Sequence, residues 1–293
     1  MHSEDATSAA ADAEYRRRST LNWESAAAGW EAERDRMRAI STPVTAWLVD
    51  HLELRPGITV LEIAAGTGDV GITVAEALAG SGRVIVSDRA AAMVESAGRW
   101  AAERGAPGVE VRVLDAESLD VPDESVDRVV CRFAYMLVPD RDAAFRETRR
   151  VLRPGGRVAF AVWAGRERND WATTLWDVLE SYTPLPPARP GGPGMFALAD
   201  RGVVEDILVR AGLEPRTIEE IPVAWRYADF DDYWQAAAVL NGGLTRLLPT
   251  LSDAERADLV GAVRAAVARF RDGEGYRLPG LALGVAAAVP GGV

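Results

Sequence analysis

Lysine is absent from the 293 residues: all 33 basic side chains are arginine. That excludes a Walker-type phosphate grip, a Schiff-base mechanism and the Tyr-x-x-x-Lys pair of short-chain dehydrogenases. Cysteine is nearly absent too. Cys131 stands alone, so no internal disulfide can form. Its setting, DRVVCRFAYM, reads as a small buried hydrophobe rather than a reactive thiol. Histidine is limited to His2 and His51. No His/Cys/Asp cluster has metal-ligand spacing, so no metal is expected. Positive charge is in deficit, with a formal net charge of -11. Binding to nucleic acid or to an anionic membrane surface is therefore disfavoured. The first twenty residues lack the apolar core of a secretion signal, and no apolar run is long enough to span a bilayer. A cytoplasmic protein is expected.

The composition that remains is that of a globular chain able to bury a full core. Its first half alternates short β-rich runs with helical patterns. Ile58–Ile63, Arg83–Ser87, Val109–Leu114, Ser125–Phe133 and Arg157–Trp163 read as strands. Helices are expected over Trp23–Ile40, from Pro43 to His51, over Ala90–Arg104 and over Asp140–Leu152. Such alternation predicts a parallel sheet with helices on both faces, with ligands bound beyond the carboxyl ends of the strands. The second half is less regular. It holds a Pro/Gly-rich loop, PLPPARPGGPG, a helix over Gly202–Ala211, strands at Arg216–Ala224 and Leu281–Val289, and a mostly helical stretch over Asp231–Phe270.

Gly66-Thr67-Gly68-Asp69-Val70-Gly71 fits the G-x-G-x-x-G pattern of a dinucleotide-binding turn. The surrounding acids decide what such a loop suits. Asp88, at the end of the second strand, fits ribose hydroxyls of either NAD or S-adenosylmethionine. Glu62 discriminates, because a carboxylate beside the loop repels a pyrophosphate and attracts an ammonium group. Asp115, ending the third strand, can accept from an adenine amine. Three acids around one ligand favour a cationic cofactor. Taken singly, each has a plainer reading as a strand-end charge or an arginine partner.

The runs VLEIAAGTG, VSDRAAAMVESA, VLDAESLDVPDESVDRVVCRF and LVPDRDAAFRETRRVLRPGGRVAFAVW resemble the class I S-adenosylmethionine-dependent methyltransferases. Within them the nearest likeness is to the ubiquinone/menaquinone C-methyltransferase group. The resemblance covers about Pro43 to Trp163. It implies a Rossmann-like, doubly wound α/β sheet, mostly parallel with an antiparallel last strand, plus helical cap insertions. It also implies roles by position. Gly66 and Gly68 line the methionine half with Glu62 near its ammonium group. Asp88 holds the ribose, and Arg89 and Met93 flank the adenine. Asp115 takes the adenine amine, Ala116 supplies a backbone donor, and Arg132 lies near the sulfonium. Ala64 replaces the family's first loop glycine, which predicts a slightly tighter site.

The implied reaction is in-line methyl transfer from S-adenosylmethionine to a small aromatic or polyketide-like acceptor, at a hydroxyl or an activated carbon, with S-adenosylhomocysteine as product. Tyr135 is a candidate to orient or deprotonate a hydroxyl, and equally a packing residue. His51 is a candidate base, with helix capping as its plainer role. Trp30, Tyr135, Trp163, Phe196 and Trp234 are candidates for the acceptor pocket, while packing is the favoured reading of Trp171 and the plainer one of Trp234. Two rivals stay open: a non-methylating protein that binds the same cofactor, and an NAD-dependent oxidoreductase. The expected division is a disordered 1–20, cofactor-covering helices over 21–55, a core at 56–165, and a helix with lid-like loop over 166–200. A core helix and strand over 201–228, a helical cap over 229–275 and a last strand with tail over 276–293 complete it. The loop PARPGGPGMF is a lid candidate, and an exposed N-terminal helix would offer a homodimer surface.

Overall fold

In a computed structural model, residues 2–183 and 191–291 are described. Two helices come first, α1 (His2–Ala32) and α2 (Arg34–His51). The core follows as β1 (Thr59–Glu62), α3 (Asp69–Leu78), β2 (Arg83–Asp88), α4 (Ala91–Glu103), β3 (Val109–Val113), β4 (Val126–Arg132), α5 (Arg141–Val151) and β5 (Leu152–Trp163). Then come α6 (Asp170–Leu179), α7 (Arg201–Arg210), β6 (Glu214–Tyr227), α8 (Phe230–Leu240), α9 (Gly242–Leu247), α10 (Asp253–Val267), β7 (Arg271–Asp272) and β8 (Gly275–Ala288).

The strands lie in the order β3-β2-β1-β4-β5-β8-β6, with β7 paired to β8. Pairing is parallel from β3 through β5, and β8 runs antiparallel between β5 and β6. This is the doubly wound sheet with an antiparallel last strand that was expected. Valine, isoleucine and alanine dominate the central strands because both faces are covered. Val60, Leu61, Val129, Val130, Val158 and Phe160 are all fully buried. Sequence order reverses between β1 and β4, which opens a crevice at their carboxyl ends.

Register shows what the last two strands add. β5 ends at Trp163, opposite Ala282, but β8 continues on the rim side to Gly275, still paired with β6 out to Tyr227. The β6–β8 pair therefore overhangs the carboxyl rim. It carries a second hydrophobic cluster in which Trp225, Tyr227 and Leu278 pack against α6, α8, α9 and α10. The strands expected over 216–224 and 281–289 are longer than the sequence pattern indicated.

The N-terminal region also departs from expectation. Residues 2–20, part of the stretch expected to be disordered, belong to helix α1. Tertiary contacts hold it. Arg16 grips Glu117 in a two-point ion pair at 2.5 and 2.9 Å. The Glu24 carboxylate accepts from the free N–H groups of Ala91 and Ala92 at the start of α4. Trp23 and Trp30 pack edge to face over Ala90 and Met93. Pro43, expected to start a helix, lies inside α2, and the break falls at Glu33 instead. Proline forfeits one helical hydrogen bond. Burial of Val44 and Leu48, with side-chain bonds from Arg132 to Ser41 and Thr45, holds the helix across it.

Candidate functional site

A cavity of about 430 Å³ opens at the carboxyl rim, roofed by α1, α2 and the overhanging β6–β8 pair. The sequence candidates Glu62, Ala64, Gly66, Asp88, Arg89, Met93, Asp115, Ala116 and Arg132 all lie on its wall. Gly68 does not. It starts α3 with φ +84°, and a Cβ there would press on Ala97 at 2.8 Å. Its glycine serves helix packing rather than the cavity.

The loop after β1 keeps its shape through backbone bonds to both neighbouring strands, Ile63 N–H to Val130 O and Ala65 N–H to Ser87 O. Asp88 organises it further, accepting from Gly66 N–H through one oxygen and Ala90 N–H through the other, each at 2.9 Å. Burial raises the Asp88 carboxyl, against the opposing effect of those N–H groups. The Arg89 N–H also acts on this carboxylate, which keeps a free lone pair for a further donor. Ala64 stands at φ +52°, a left-handed conformation that costs a β-carbon-bearing residue about 1 kcal/mol. The glycine replacement thus introduces backbone strain, while Ala64 stays on the cavity wall.

Glu62 is fully buried. Its carboxylate accepts Gly71 N–H at 2.7 Å, and desolvation pushes its pKa up to about 8 against the pull of Arg132. A Cβ on Gly71 would overlap Glu62 Oε2 and Val86 Cγ2. The last glycine of the G-x-G-x-x-G run is there for this close approach of α3 to β1 and β2. Arg132 donates to Asp69 at 2.6 Å, Thr45 at 2.7 Å and Ser41 at 2.8 Å, all through one nitrogen. Arg38 holds the other Asp69 oxygen at 2.8 Å. The loop aspartate is thus clamped between two arginines. At the far end Arg89 pairs with Asp115 at 3.6 Å, and Asp115 also accepts Glu117 N–H. Sequence reading missed Asp69, Arg38 and the α4-capping Glu24. Asp69 sits inside the glycine run, but nothing local couples it to arginines 31 and 63 residues away.

The opposite half of the cavity is aromatic. Phe133 stacks on Trp163 at 3.9 Å, Trp163 leans on Trp171 at 4.9 Å, and Trp171 stacks on Trp225 at 4.4 Å. Phe133 holds φ +61°, rare for a large side chain. Its N–H bonds Ala161 O, which fixes the turn that points it at this wall. Trp30 and Trp163 line the cavity as expected, and so does Trp171, expected only to pack. Val223, Trp225 and Tyr227 reach it together because alternate residues of β6 share a face.

Four candidates lie elsewhere. Tyr135 is fully buried on the α5 side between Phe145 and Phe160, with its hydroxyl on Thr148 Oγ1 at 2.6 Å. Burial raises its pKa well above the ordinary phenol value and keeps it protonated, and it does not line the cavity. His51 stacks on Trp47 at 3.7 Å and bonds Trp47 O, away from the cavity. Phe196 sits behind Trp176, edge to face at 5.8 Å. Trp234 stacks on Phe230 within the cap. Of the lid-candidate loop, positions 187–190 lie outside the described residues. Beyond them Arg141 binds the carbonyls of Gly191 and Gly192, and Met195 reaches the cavity. Cys131 is buried, and its thiol is pushed up to about 12. Among the described residues no acid/His/Cys group could hold a metal, and no helix is long and apolar enough to cross a membrane.

Comparison with known proteins agrees with this geometry. Residues 60–156 match the family described as a methyltransferase domain. A ubiquinone/menaquinone biosynthesis C-methyltransferase of Hahella chejuensis is 33% identical over 139 residues, 47% of this chain and 55% of that protein. Its counterpart in Acidiphilium cryptum is 42% identical over 111 residues, 37% of this chain and 43% of that protein. The chain thus spans about half the length of the curated relatives it matches. Among solved structures, an S-adenosylmethionine-dependent methyltransferase from Aquifex aeolicus aligns with TM-score 0.51 and 16% identity over 86% of this chain and 92% of the other. The [4+2]-cyclase SpnF aligns with TM-score 0.56 and 22% identity over 85% and 81%. These two share the fold. That fold is Rossmann-like. The core of this chain, residues 60–156, is thus similar to a methyltransferase domain.

Proposed function

We propose that this protein transfers a methyl group from S-adenosylmethionine to a small, flat, largely apolar acceptor. One observation carries the reading: acids from the ends of three successive strands line one half of a cavity whose other half is a continuous aromatic wall. The donor set fits the cofactor. Glu62 is a buried carboxylate with a raised pKa, a group that gains from a neighbouring cation. Asp88 presents acceptors for a ribose diol and Asp115 for an adenine amine. The same acids oppose a pyrophosphate, which argues against NAD.

The bound cofactor supplies an already activated methyl on a positively charged sulfur. The protein's contribution is therefore alignment and exclusion of water. Glu62 and Asp88 fix the two ends of the cofactor site relative to the loop. Asp69 neutralises Arg132, so that no unpaired guanidinium faces the sulfonium position. Phe133, Trp163 and Trp171 offer a plane against which a flat acceptor stacks beside the reacting methyl. The carboxylates on the cavity wall, Glu62, Asp69, Asp88 and Asp115, all belong to the cofactor half, and Tyr135 and His51 lie outside it. Among the described residues no carboxylate or imidazole lines the acceptor side, which favours an activated carbon as the target, in keeping with the C-methyltransferase names of the relatives.

Calorimetric titration with S-adenosylmethionine, S-adenosylhomocysteine and NAD tests the cofactor. Saturable binding of the first two, weakened in Asp88→Ala, is expected, and binding of NAD alone would refute the reading. A screen of flat acceptors then tests transfer. Bound cofactor without any methylated product would favour the non-methylating alternative.

A further inference from the structure

β5 stops at Trp163, and the next pair, Ala164 with Leu281 of β8, is only half made. Ala164 N–H bonds Leu281 O at 2.9 Å, and a side chain takes the return bond. The Asn169 carboxamide stands between the two residues, accepting Leu281 N–H at 3.0 Å and donating to Ala164 O at 3.0 Å. Asn169 is fully buried, and its amide also donates to Gly165 O and Leu281 O. Its oxygen accepts a second donor, the Trp171 indole N–H, at 3.1 Å. One side chain thus fixes where β8 leaves β5 and how the Trp171 ring is turned. Gly280 bounds the same ring from β8. A Cβ there would stand 2.6 Å from Trp171 Cδ1 and 2.9 Å from Nε1. Gly280 does not hold a left-handed φ, so the space and not the backbone calls for glycine. Trp225 stacks on the ring at 4.4 Å and Trp163 leans on it at 4.9 Å. Those two are buried, whereas Trp171 is only half-buried and lines the cavity.

We infer that Asn169 and Gly280 are positioning residues for a flat acceptor and act through Trp171. Asn169 selects the orientation of the ring, because a ring turned over would take its N–H away from the Asn169 oxygen. Gly280 sets how closely the ring lies against β8, because a methyl group there must drive it away from the strand. Neither residue lines the cavity, so neither touches the acceptor itself. A plane displaced by about 1 Å carries a stacked molecule out of line with the reacting methyl. The inference rests on the proposed stacking of a flat acceptor against this wall.

Equilibrium dialysis with 2-naphthol and its saturated counterpart decahydro-2-naphthol tests it, with and without S-adenosylhomocysteine. Wild type should hold the flat probe about three- to tenfold more tightly than the puckered one. Gly280→Ala should abolish that preference and leave S-adenosylhomocysteine affinity unchanged by calorimetry. In a Trp171→Ala background the same change has no ring to displace and should have no further effect on either probe. Asn169→Ser should behave alike, weakening 2-naphthol about threefold only where Trp171 is present. In protein carrying 5-fluorotryptophan, the Trp171 fluorine resonance, identified by its loss in Trp171→Ala, should shift in both variants. Losses that add across the two backgrounds, or an equal loss of S-adenosylhomocysteine, would overturn the inference and leave the proposed function standing. Should Gly280→Ala fail to fold, Asn169→Ser decides by the same criterion, and failure of both to fold would assign these residues to the frame alone and overturn the inference. No preference for the flat probe in wild type would remove the stacking wall on which the inference rests. Failure of S-adenosylhomocysteine to bind, with the coupling to Trp171 intact, would sink the methyltransferase reading alone.

Discussion

The two halves of the cavity are built on opposite plans. The half we assign to the cofactor is polar, and short segments supply it: the end of β1 with the loop after it, and the ends of β2 and β3, each a few residues long and adjacent in the sheet; the half we assign to the acceptor lies beyond it. Glu62, Asp88 and Asp115 are held there by backbone N–H groups, and Asp69 by Arg38 and Arg132. The acceptor half is apolar and assembled from distant pieces, with Phe133 after β4, Trp163 at the end of β5, Trp171 on α6, Trp225 on β6 and Tyr233 on α8. There the backbone contributes position, and the side chains contribute surface. The contrast is between a wall set by local backbone geometry and one set by packing between distant segments of the chain.

The largest expected effect falls on the cofactor half. Asp88→Ala removes the acceptor of both Gly66 and Ala90 N–H and should weaken S-adenosylhomocysteine about a hundredfold by calorimetry, while binding of a flat aromatic acceptor changes little. Equal loss of both ligands would mean that the halves are not separable. Gly71→Ala should destabilise the protein by about 1–3 kcal/mol in denaturant unfolding, because its Cβ must displace Glu62 or Val86.

Glu62 gives the comparison a pH signature. Its folded pKa, about 8, is raised above the ordinary value, so the native state keeps a proton that the unfolded chain has lost. Wild-type stability should therefore fall as pH rises from about 4.5 to about 8. Glu62→Gln should be the more heat-stable protein at pH 8 and lose that advantage near pH 4. S-adenosylmethionine affinity should rise with pH through the same window in wild type only. A variant whose melting temperature tracks wild type across that range would refute the assignment.

On the acceptor half, Trp171→Ala should raise the KM for a flat acceptor several-fold and leave cofactor binding unchanged. The smallest effect is expected outside both halves. Tyr135→Phe should cost about 1 kcal/mol by losing its bond to Thr148, with turnover intact. A large loss of turnover would restore Tyr135 as a participant.

The acids of the cofactor half were legible because each ends a strand, and strand ends in a parallel sheet share one rim. Gly66 and Asp88 needed only that rule. Ala64 was legible as a departure, though its consequence, backbone strain at φ +52°, was not. Helix α1 was misread because its sequence is polar and its order comes from Glu117, Ala91 and Met93, which lie far along the chain. Tyr135 and His51 were candidates by chemistry and position, and both were decided by direction. Tyr135 turns to the α5 face, and His51 stacks on its own helix.

The sequence by itself determined the alternation of strand and helix, hence the parallel sheet, its rim and the acids upon it. Hydrophobic periodicity and glycine placement are local, and they act before any long-range contact forms. Only the tertiary structure decided that Asp69 is clamped by two arginines, that β6 and β8 outrun the sheet to overhang the rim, and that Trp163, Trp171 and Trp225 come together as one wall. Those outcomes depend on register and on packing between segments up to about two hundred residues apart, where no local pattern in the chain records the contact.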